Sequence, residues 1–197
     1  MATQAERTAE TRRRILDAAR ARFAGQGYET TTIAELLDDA GVSKGALYHH
    51  FDSKESIAET LFSETSRAAI IAASRHDGDD DDPLESLVAS CLRWMDEAAR
   101  PEVASVLFDL GPTALGWERS REIENAHSLR VLRASIGRAV DAGRFVPGRT
   151  ELAARTINAV LAELALLAVH PGEVTATPDD VAALVRTTIH GLATAGT

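Results

Sequence analysis

A pair of short helix patterns separated by a glycine turn constrains the fold of this chain more than any other feature of its sequence. Thr32 and Glu35 have the spacing of a capping box, in which the threonine hydroxyl and the glutamate carboxylate each bond the other residue's backbone N–H. Gly41 then supplies the positive φ that ends a helix, and Ser43 is a good cap for the next helix. Two helices joined by a short turn that contains glycine are typical of a helix-turn-helix, which we predict over residues 32–50.

The second helix of this unit has the length and the surface of a segment that contacts DNA. Its residues 44–50 span about 10 Å, short enough to enter a major groove roughly 12 Å wide. Gly45 near its start permits close approach, and its N-terminal N–H groups can face a phosphate. The apolar side chains of the unit are expected to form a small core with Phe23: Ile33, Leu36, Leu37, Val42, Leu47 and Phe51. The residues left on the outer side are Ser43, Lys44, Gly45, Tyr48 and His49.

The rest of the sequence predicts an all-α protein of about nine helices, with no convincing strand. Asp52 and Glu55 form a second capping box, which opens a long fourth helix that ends at about Arg75. Asp82 is expected to cap the fifth helix, with Pro83 at its first position. Gly111-Pro112 is among the expected breaks between the later helices, which are predicted at residues 84–99, 101–110, 117–142, 151–169 and 178–195.

No pattern in the sequence indicates a metal, a cofactor or a catalytic centre. The aspartates within residues 77–82 lack the glycine and glutamate placement of a calcium loop, so a solvated linker is the better interpretation. The neighbours His49 and His50 point to different faces of a helix, which makes them poor metal ligands. The glycine motifs of phosphate and dinucleotide binding and the common hydrolase motifs are absent. We therefore predict a protein that is not an enzyme and holds neither cofactor nor metal.

The order of residues around the helix-turn-helix carries a family resemblance. The residues concerned are Ile15-Leu16-Asp17-Ala18-Ala19, Phe23, Gly27-Tyr28, Thr31-Thr32-Ile33, Ala40-Gly41-Val42-Ser43-Lys44-Gly45-Ala46-Leu47-Tyr48-His49-His50-Phe51 and Lys54-Glu55. In order and spacing they resemble the tetracycline-repressor (TetR) family over about residues 8–60. Leu37 departs from the pattern, since family members usually carry alanine there, and the packing of the two helices is expected to open slightly.

The resemblance implies a homodimer in which each chain has two parts. Residues 1–53 would be the DNA-binding domain, and residues 54–197 an effector-binding and dimerisation domain. Lys44, Tyr48 and Thr32 would touch phosphates, while Gly45, Ala46 and His49 would lie near base edges. Effector identity does not carry over, because the larger part varies widely in this family.

Two apolar helices near the C-terminus are the expected dimer interface. The helix at residues 151–169 is apolar nearly all round, so it must be covered on several sides. The last helix offers one partner, and a second copy of both helices would complete a four-helix interface. The alternative is an ordinary core helix. The interface residues that we predict are Leu161, Leu164, Val185 and Ile189.

Aromatic, sulfur-containing and polar side chains in the middle of the chain suggest an effector pocket. The candidates are Cys91, Trp94, Met95, Phe108, Asp109, Trp117, His127 and Asn158. Aromatic and methionine stripes more often belong to the core, and a binding site is suggested here because polar groups lie among apolar ones. A largely apolar small molecule is the expected ligand.

Charge is unevenly distributed along the chain. The first 54 residues hold as many basic as acidic side chains, with an arginine cluster near the start, so the rest carries the net charge of −9. This asymmetry could orient one end toward phosphates, but charge alone favours the simpler interpretation of a solvated helix face. The single cysteine and the absence of a signal peptide indicate the cytoplasm. The predicted function is a repressor released from a palindromic operator by a small molecule; the alternative is an activator or an architectural DNA-binding protein without a ligand.

Overall fold

The chain is all-helical in a computed structural model that describes residues 3–75, 82–172 and 176–194. Helices make up 84% of it, and the described ranges contain no strand, which confirms the predicted fold class. The elements in chain order are α1 (Gln4–Gln26), α2 (Ile33–Ala40), α3 (Lys44–His50), α4 (Lys54–Ser74), α5 (Pro83–Ala98), α6 (Pro101–Ala104), a π-helical segment (Ser105–Leu110), α7 (Gly111–Asp141), α8 (Thr150–Val169) and α9 (Pro178–Thr194). Most of the predicted aspartate linker lies outside the described residues.

The start of α4 is capped by different residues from those predicted. Ser53 and Ser56 form a reciprocal pair, in which the N–H of each donates to the other's hydroxyl oxygen at 3.1 Å and 3.0 Å. The prediction that Asp52 and Glu55 cap this helix was wrong by one position. Ser53 and Ser56 have the same spacing one residue further along the chain, so the sequence contains two overlapping capping patterns. The cap of α5 is as predicted, since Asp82 accepts a bond from the Leu84 N–H at 3.0 Å.

Gly111 joins two helical segments where the sequence predicted a break. The π-helical segment continues directly into α7, and non-helical backbone comes only at Gly116, with φ 77° and ψ 161°. A Cβ atom at Gly111 would clash with the ring of Phe62. The glycine therefore serves close packing and does not end a helix.

The described chain divides into two compact units, each made of two segments. The first contains the residues up to Thr65 together with Ser105–Arg121, and within it α1 packs on α2, on α3 and on the π-helical segment. The second contains Ser66–Ala104 together with the residues from Glu122 onward, and within it α5, α8 and α9 pack on one another. The predicted functional division after residue 53 falls inside the first unit.

The four residues predicted for a dimer interface belong to the core of the second unit. Leu161, Leu164, Val185 and Ile189 are 6%, 8%, 2% and 1% exposed in a single chain. Helix α5 supplies the cover that the sequence analysis assigned to a second copy. The four residues therefore have little surface left for a partner, and the large apolar side chains still exposed on α8 and α9 are Leu152 and Leu184.

Helix α8 also has the length and composition of a membrane span. Its mean hydropathy is 1.7, and it is the one helix in the described ranges that is long and apolar enough to cross a membrane. It packs against α5 and α9 within the second unit.

Candidate nucleic-acid interface

The turn between α2 and α3 has the geometry that the sequence predicted. The Thr32 hydroxyl accepts from the Glu35 N–H at 3.3 Å, and the Glu35 carboxylate accepts from the Thr32 N–H at 2.8 Å. Gly41 adopts the left-handed conformation with φ 59° and ψ 43°. Ser43 caps α3, because its hydroxyl oxygen accepts from the Ala46 N–H at 3.2 Å. The helix-turn-helix is confirmed at the level of its backbone and its caps.

A small core behind the turn holds α3 in place. Leu36 and Leu47 are fully buried, and Phe23 and Phe51 are nearly so. Three other residues predicted for this core are only half-buried, namely Ile33, Leu37 and Val42. The core is thus narrower than predicted and centred on one leucine from each short helix.

Arginines of α1 tie the helix-turn-helix to the rest of the first unit. The Arg22 guanidinium donates to the Asp39 carboxylate, with one bond at 2.9 Å, and reaches Glu35 at 3.3 Å. These bonds hold the pKa of the Asp39 carboxyl below its ordinary value. Arg14 donates to the Gly41 carbonyl oxygen at 3.0 Å, and Arg12 pairs with Glu64. Much of the N-terminal arginine cluster is therefore engaged in bonds within the protein, which neither interpretation of its charge had predicted.

One face of α3 presents the residues predicted to contact DNA. Lys44, Gly45, Tyr48 and His49 are exposed, and the Lys44 ammonium lies 5.9 Å from the centre of the Tyr48 ring. A Cβ atom at Gly45 would meet nothing within 4 Å, so no packing contact in the described chain requires glycine there.

The other residues predicted to contact DNA, Ser43, Ala46 and Thr32, differ in their exposure and in their hydrogen bonds. Ser43 is exposed, and its hydroxyl hydrogen stays free to donate because the oxygen serves as the acceptor in the cap. Ala46 is half-buried. Thr32 is exposed, but its hydroxyl donates to the Glu35 carboxylate at 2.8 Å. To donate to a phosphate it would have to give up that bond.

Lys54 holds the loop that leads into α2, which the sequence analysis did not predict. Its ammonium donates to the carbonyl oxygens of Tyr28 and Thr31, each at 2.8 Å, and lies 4.3 Å from the centre of the Tyr28 ring. The Tyr28 ring meets Phe23 edge-on at 5.3 Å. Lysine and tyrosine both belong to the motif that carried the family resemblance, but the sequence does not show which carbonyl groups a lysine will bind.

His50 lies behind the exposed face of α3 and favours the neutral form. Burial lowers the pKa of its imidazole, and the neighbouring His49 and Arg12 lower it further. The rings of the two histidines are 5.3 Å apart and nearly perpendicular. His49 is therefore the histidine of this pair that is placed to contact a ligand.

The residues predicted for an effector pocket are distributed over both units. Cys91, Trp94 and Asn158 line a cavity of about 50 Å³ in the second unit. The side-chain amide of Asn158 donates to the side-chain oxygen (Oδ1) of Asn125 at 2.8 Å, and burial raises the pKa of the Cys91 thiol to about 12. Met95 is buried without lining this cavity.

The remaining four candidates lie elsewhere. His127 borders an open groove of the second unit. Phe108, Asp109 and Trp117 belong to the first unit, where Asp109 lines a groove beside Phe23 and Trp117 is 59% exposed. Closeness along the chain does not indicate which unit a residue joins here, because the π-helical segment and the start of α7 belong to the first unit and the rest of α7 belongs to the second.

Comparisons with known proteins agree with this arrangement of helices. Residues 15–61 match the family described as bacterial regulatory proteins, tetR family, and residues 84–192 match the tetracyclin repressor-like C-terminal domain. The RolR protein, solved in complex with resorcinol, superimposes with a TM-score of 0.72 at 18% identity, over 98% of this chain and 92% of RolR.

Two curated relatives extend the comparison at the level of sequence. The HTH-type transcriptional repressor Rv1474c of Mycobacterium tuberculosis is 34% identical over 130 residues, which cover 64% of this chain and 66% of the relative. The A-factor receptor protein of Streptomyces griseus is 52% identical over 64 residues, 32% of this chain and 23% of the relative. The chain thus spans less than two thirds of the length of each.

Proposed function

Because this chain belongs to the TetR family of bacterial transcriptional regulators, we propose that it is a repressor, bound as a homodimer to a palindromic operator and released by a small molecule. Its class, a DNA-binding regulator, follows from the family. The observation that carries the proposal is the exposed face of α3, where Lys44, Gly45, Tyr48 and His49 stand together on a buried leucine core. Its place of action would be the cytoplasm, and its role would not be enzymatic.

Selection of binding sites from random DNA with the purified protein tests this proposal most directly. A repressor should lower expression from a promoter that contains the selected site, and an activator should raise it. An architectural protein should bend or bridge the DNA with little effect in either direction. Selection without any enriched sequence would contradict the assignment of α3 as a base-reading helix.

Phosphate and base contacts on α3 should respond differently to substitution. Lys44→Ala is expected to weaken binding to the operator and to unrelated DNA alike, and to lower the salt slope by about one, because a phosphate contact carries no sequence information. His49→Ala should instead relax the preference at particular base pairs, by ~1–3 kcal/mol where a base contact is lost. Binding measured against salt and against a panel of mutated sites separates the two effects.

Arg13→Ala is the matched control for this experiment. Arg13 also carries an exposed positive charge in the first unit, but it lies on α1 and pairs with Glu10 at 2.6 Å. If this variant behaves like Lys44→Ala, the salt effect reports overall charge. If Lys44→Ala and His49→Ala give the same profile, the proposed orientation of α3 is wrong.

The dimer that we propose uses the outer surfaces of α8 and α9. Leu184→Arg, on α9 where the leucine is 50% exposed, is expected to give folded monomers that bind a palindromic site far more weakly than the dimer does. Light scattering measures the mass, and binding to whole and half operators measures the loss. Ile71→Arg on α4, where the isoleucine is 52% exposed, is the control and should leave the oligomeric state unchanged. An intact Leu184→Arg dimer would place the interface elsewhere.

Helix α4 is the element through which we propose that a ligand acts on DNA binding. Its first residue, Lys54, holds the loop before α2, and Ile70 and Ala73 near its other end line the cavity of the second unit. The helix is about 30 Å long, so a tilt at one end becomes a displacement at the other. Ligand and operator should then weaken each other's binding by the same factor, about 5–150-fold.

A further inference from the structure

A groove in the second unit gathers four arginines. Arg67 of α4, Arg75 directly after that helix, and Arg130 and Arg138 of α7 border an opening of about 570 Å³, which His127 also lines. Among the described residues, no aspartate or glutamate lines it. Its volume lies in the range of small-molecule sites.

These arginines differ from their neighbours in having no acidic partner. Within the described ranges Arg67, Arg75 and Arg130 form no ion pair, whereas Arg133 on the same helix α7 is bound by Glu151 through two bonds. Arg138 donates to the Ser135 hydroxyl at 3.0 Å, which leaves its charge unbalanced. Four such charges in one groove, on a chain with a net charge of −9, form a local positive field.

The titration of His127 reflects the same field. Burial lowers the pKa of its imidazole, and the charges of Arg67 and Arg130 lower it further. Both guanidinium groups are thus close enough to His127 to oppose its protonation. An anion that neutralised them would remove part of this effect.

The groove adjoins the cavity of about 50 Å³ described above, because the two share part of their lining. Ile70 and Val131 line both, together with three serines, Ser74, Ser90 and Ser135, whereas Leu87, Leu132 and Trp94 line the cavity and not the groove. A positively charged groove beside a mainly apolar cavity suits a molecule with one charged end and one hydrocarbon end. The cavity is too small for a hydrocarbon chain in its present shape, so α4 and α7 would have to separate for such a chain to enter.

We propose that this groove binds an amphipathic organic anion, with its carboxylate or phosphate head on the arginines and its apolar body directed into the cavity. The proposal rests on the proposed function and names the chemical class of the effector. It replaces the largely apolar ligand expected from the sequence with one that carries a negative charge. Opening of the α4–α7 gap by the apolar body would supply the movement of α4 on which release depends.

Calorimetry on the full chain with octyl phosphate, octanoate, octanol and inorganic phosphate tests the two halves of this recognition. Both octyl anions should bind more tightly than octanol, which lacks the head, and octyl phosphate more tightly than inorganic phosphate, which lacks the body. The affinity for the anions should fall as salt rises. Equal binding of octanol, equal binding of inorganic phosphate, or no binding by either octyl anion would overturn the proposal.

Single arginine substitutions locate the site. Arg67→Gln and Arg130→Gln should each weaken the binding of octyl phosphate by about ten- to a hundredfold, the cost of one charge-assisted bond. Arg133→Gln removes the same charge from the same helix outside the groove and should change little. An unchanged affinity in both groove variants, with helix content intact by circular dichroism, would also overturn the proposal.

The His127 imidazole provides a readout that does not depend on affinity. Its pKa, followed by NMR, should rise when an octyl anion binds, because the repulsion from Arg67 and Arg130 is then offset. The same linkage makes the anion bind more tightly as pH falls through this titration. Unchanged titration of His127 in the saturated complex would place the anion elsewhere.

Operator binding measured in parallel distinguishes this inference from the proposed function. If the anions bind the groove and leave operator affinity unchanged, the site stands and ligand-controlled repression fails. If a neutral apolar compound releases the operator equally well from the wild-type chain and from Arg67→Gln, repression stands and the anion site fails.

Discussion

The Leu47→Ala variant is expected to lose about 2–5 kcal/mol of the free energy of unfolding. Leu47 is fully buried, and it is the one residue of α3 that is buried to that degree. A helix of seven residues is too short to persist without such an anchor. Operator affinity should therefore fall further than the fraction of globally unfolded protein explains, because α3 would unfold locally in molecules that otherwise remain folded. Urea unfolding measures the first effect, and hydrogen exchange of the α3 amides measures the second.

Tyr48→Ala is the control for this variant. It removes a larger side chain from the next position of the same helix, but that side chain is 43% exposed. It should leave the urea midpoint nearly unchanged while weakening DNA binding. If the two substitutions lowered the free energy of unfolding equally, burial of Leu47 would not be what anchors α3 to the core.

The Lys54→Met variant is expected to be destabilised by about 2–4 kcal/mol, the second largest effect. The methionine retains most of the apolar stem, but the carbonyl groups of Tyr28 and Thr31 lose a charged donor at 2.8 Å. The loop before α2 should then become mobile, and operator binding should weaken although no DNA-facing residue has changed. Thermal unfolding and operator affinity are the measurements.

Lys44→Met is the matched control, since Lys44 is the exposed lysine of the same unit. It should weaken DNA binding and leave the thermal stability unchanged, whereas Lys54→Met should lower the thermal stability as well as DNA binding. If both variants unfold at the same temperature, the bonds of Lys54 to the loop contribute nothing measurable.

Local features of the fold could be predicted from the sequence because their determinants lie within one turn of helix. The capping box of Thr32 and Glu35, the left-handed Gly41 and the Ser43 cap each depend on residues at most three positions apart. The predicted cap of α4 was wrong although its determinants are equally local. Ser53 and Ser56 have the same spacing as Asp52 and Glu55, one residue further along, and the pattern does not show which pair forms the cap.

Features that depend on distant partners could not be predicted in this way. Gly111 has the sequence signal of a break, and only its contact with Phe62 shows that it is a packing position. The burial of Leu161 depends on α5, which no pattern in α8 reveals. The positive groove was missed because Arg67 and Arg130 are unremarkable charges on two separate helices until the fold brings them together.

The two-segment composition of the first unit has a consequence for the order of folding during synthesis. Phe62 packs against Gly111, and Glu59 pairs with Arg119 at 2.6 Å, so this unit takes part of its core from the segment Ser105–Arg121. A nascent chain that has released its first four helices but not the segment Ser105–Arg121 would lack those contacts and would expose Phe62. Since domains fold from the N-terminus as they emerge from the ribosome, this one must wait for a later segment. We expect DNA-binding competence to arise only after Arg121 has emerged, so that an incomplete chain does not occupy the operator.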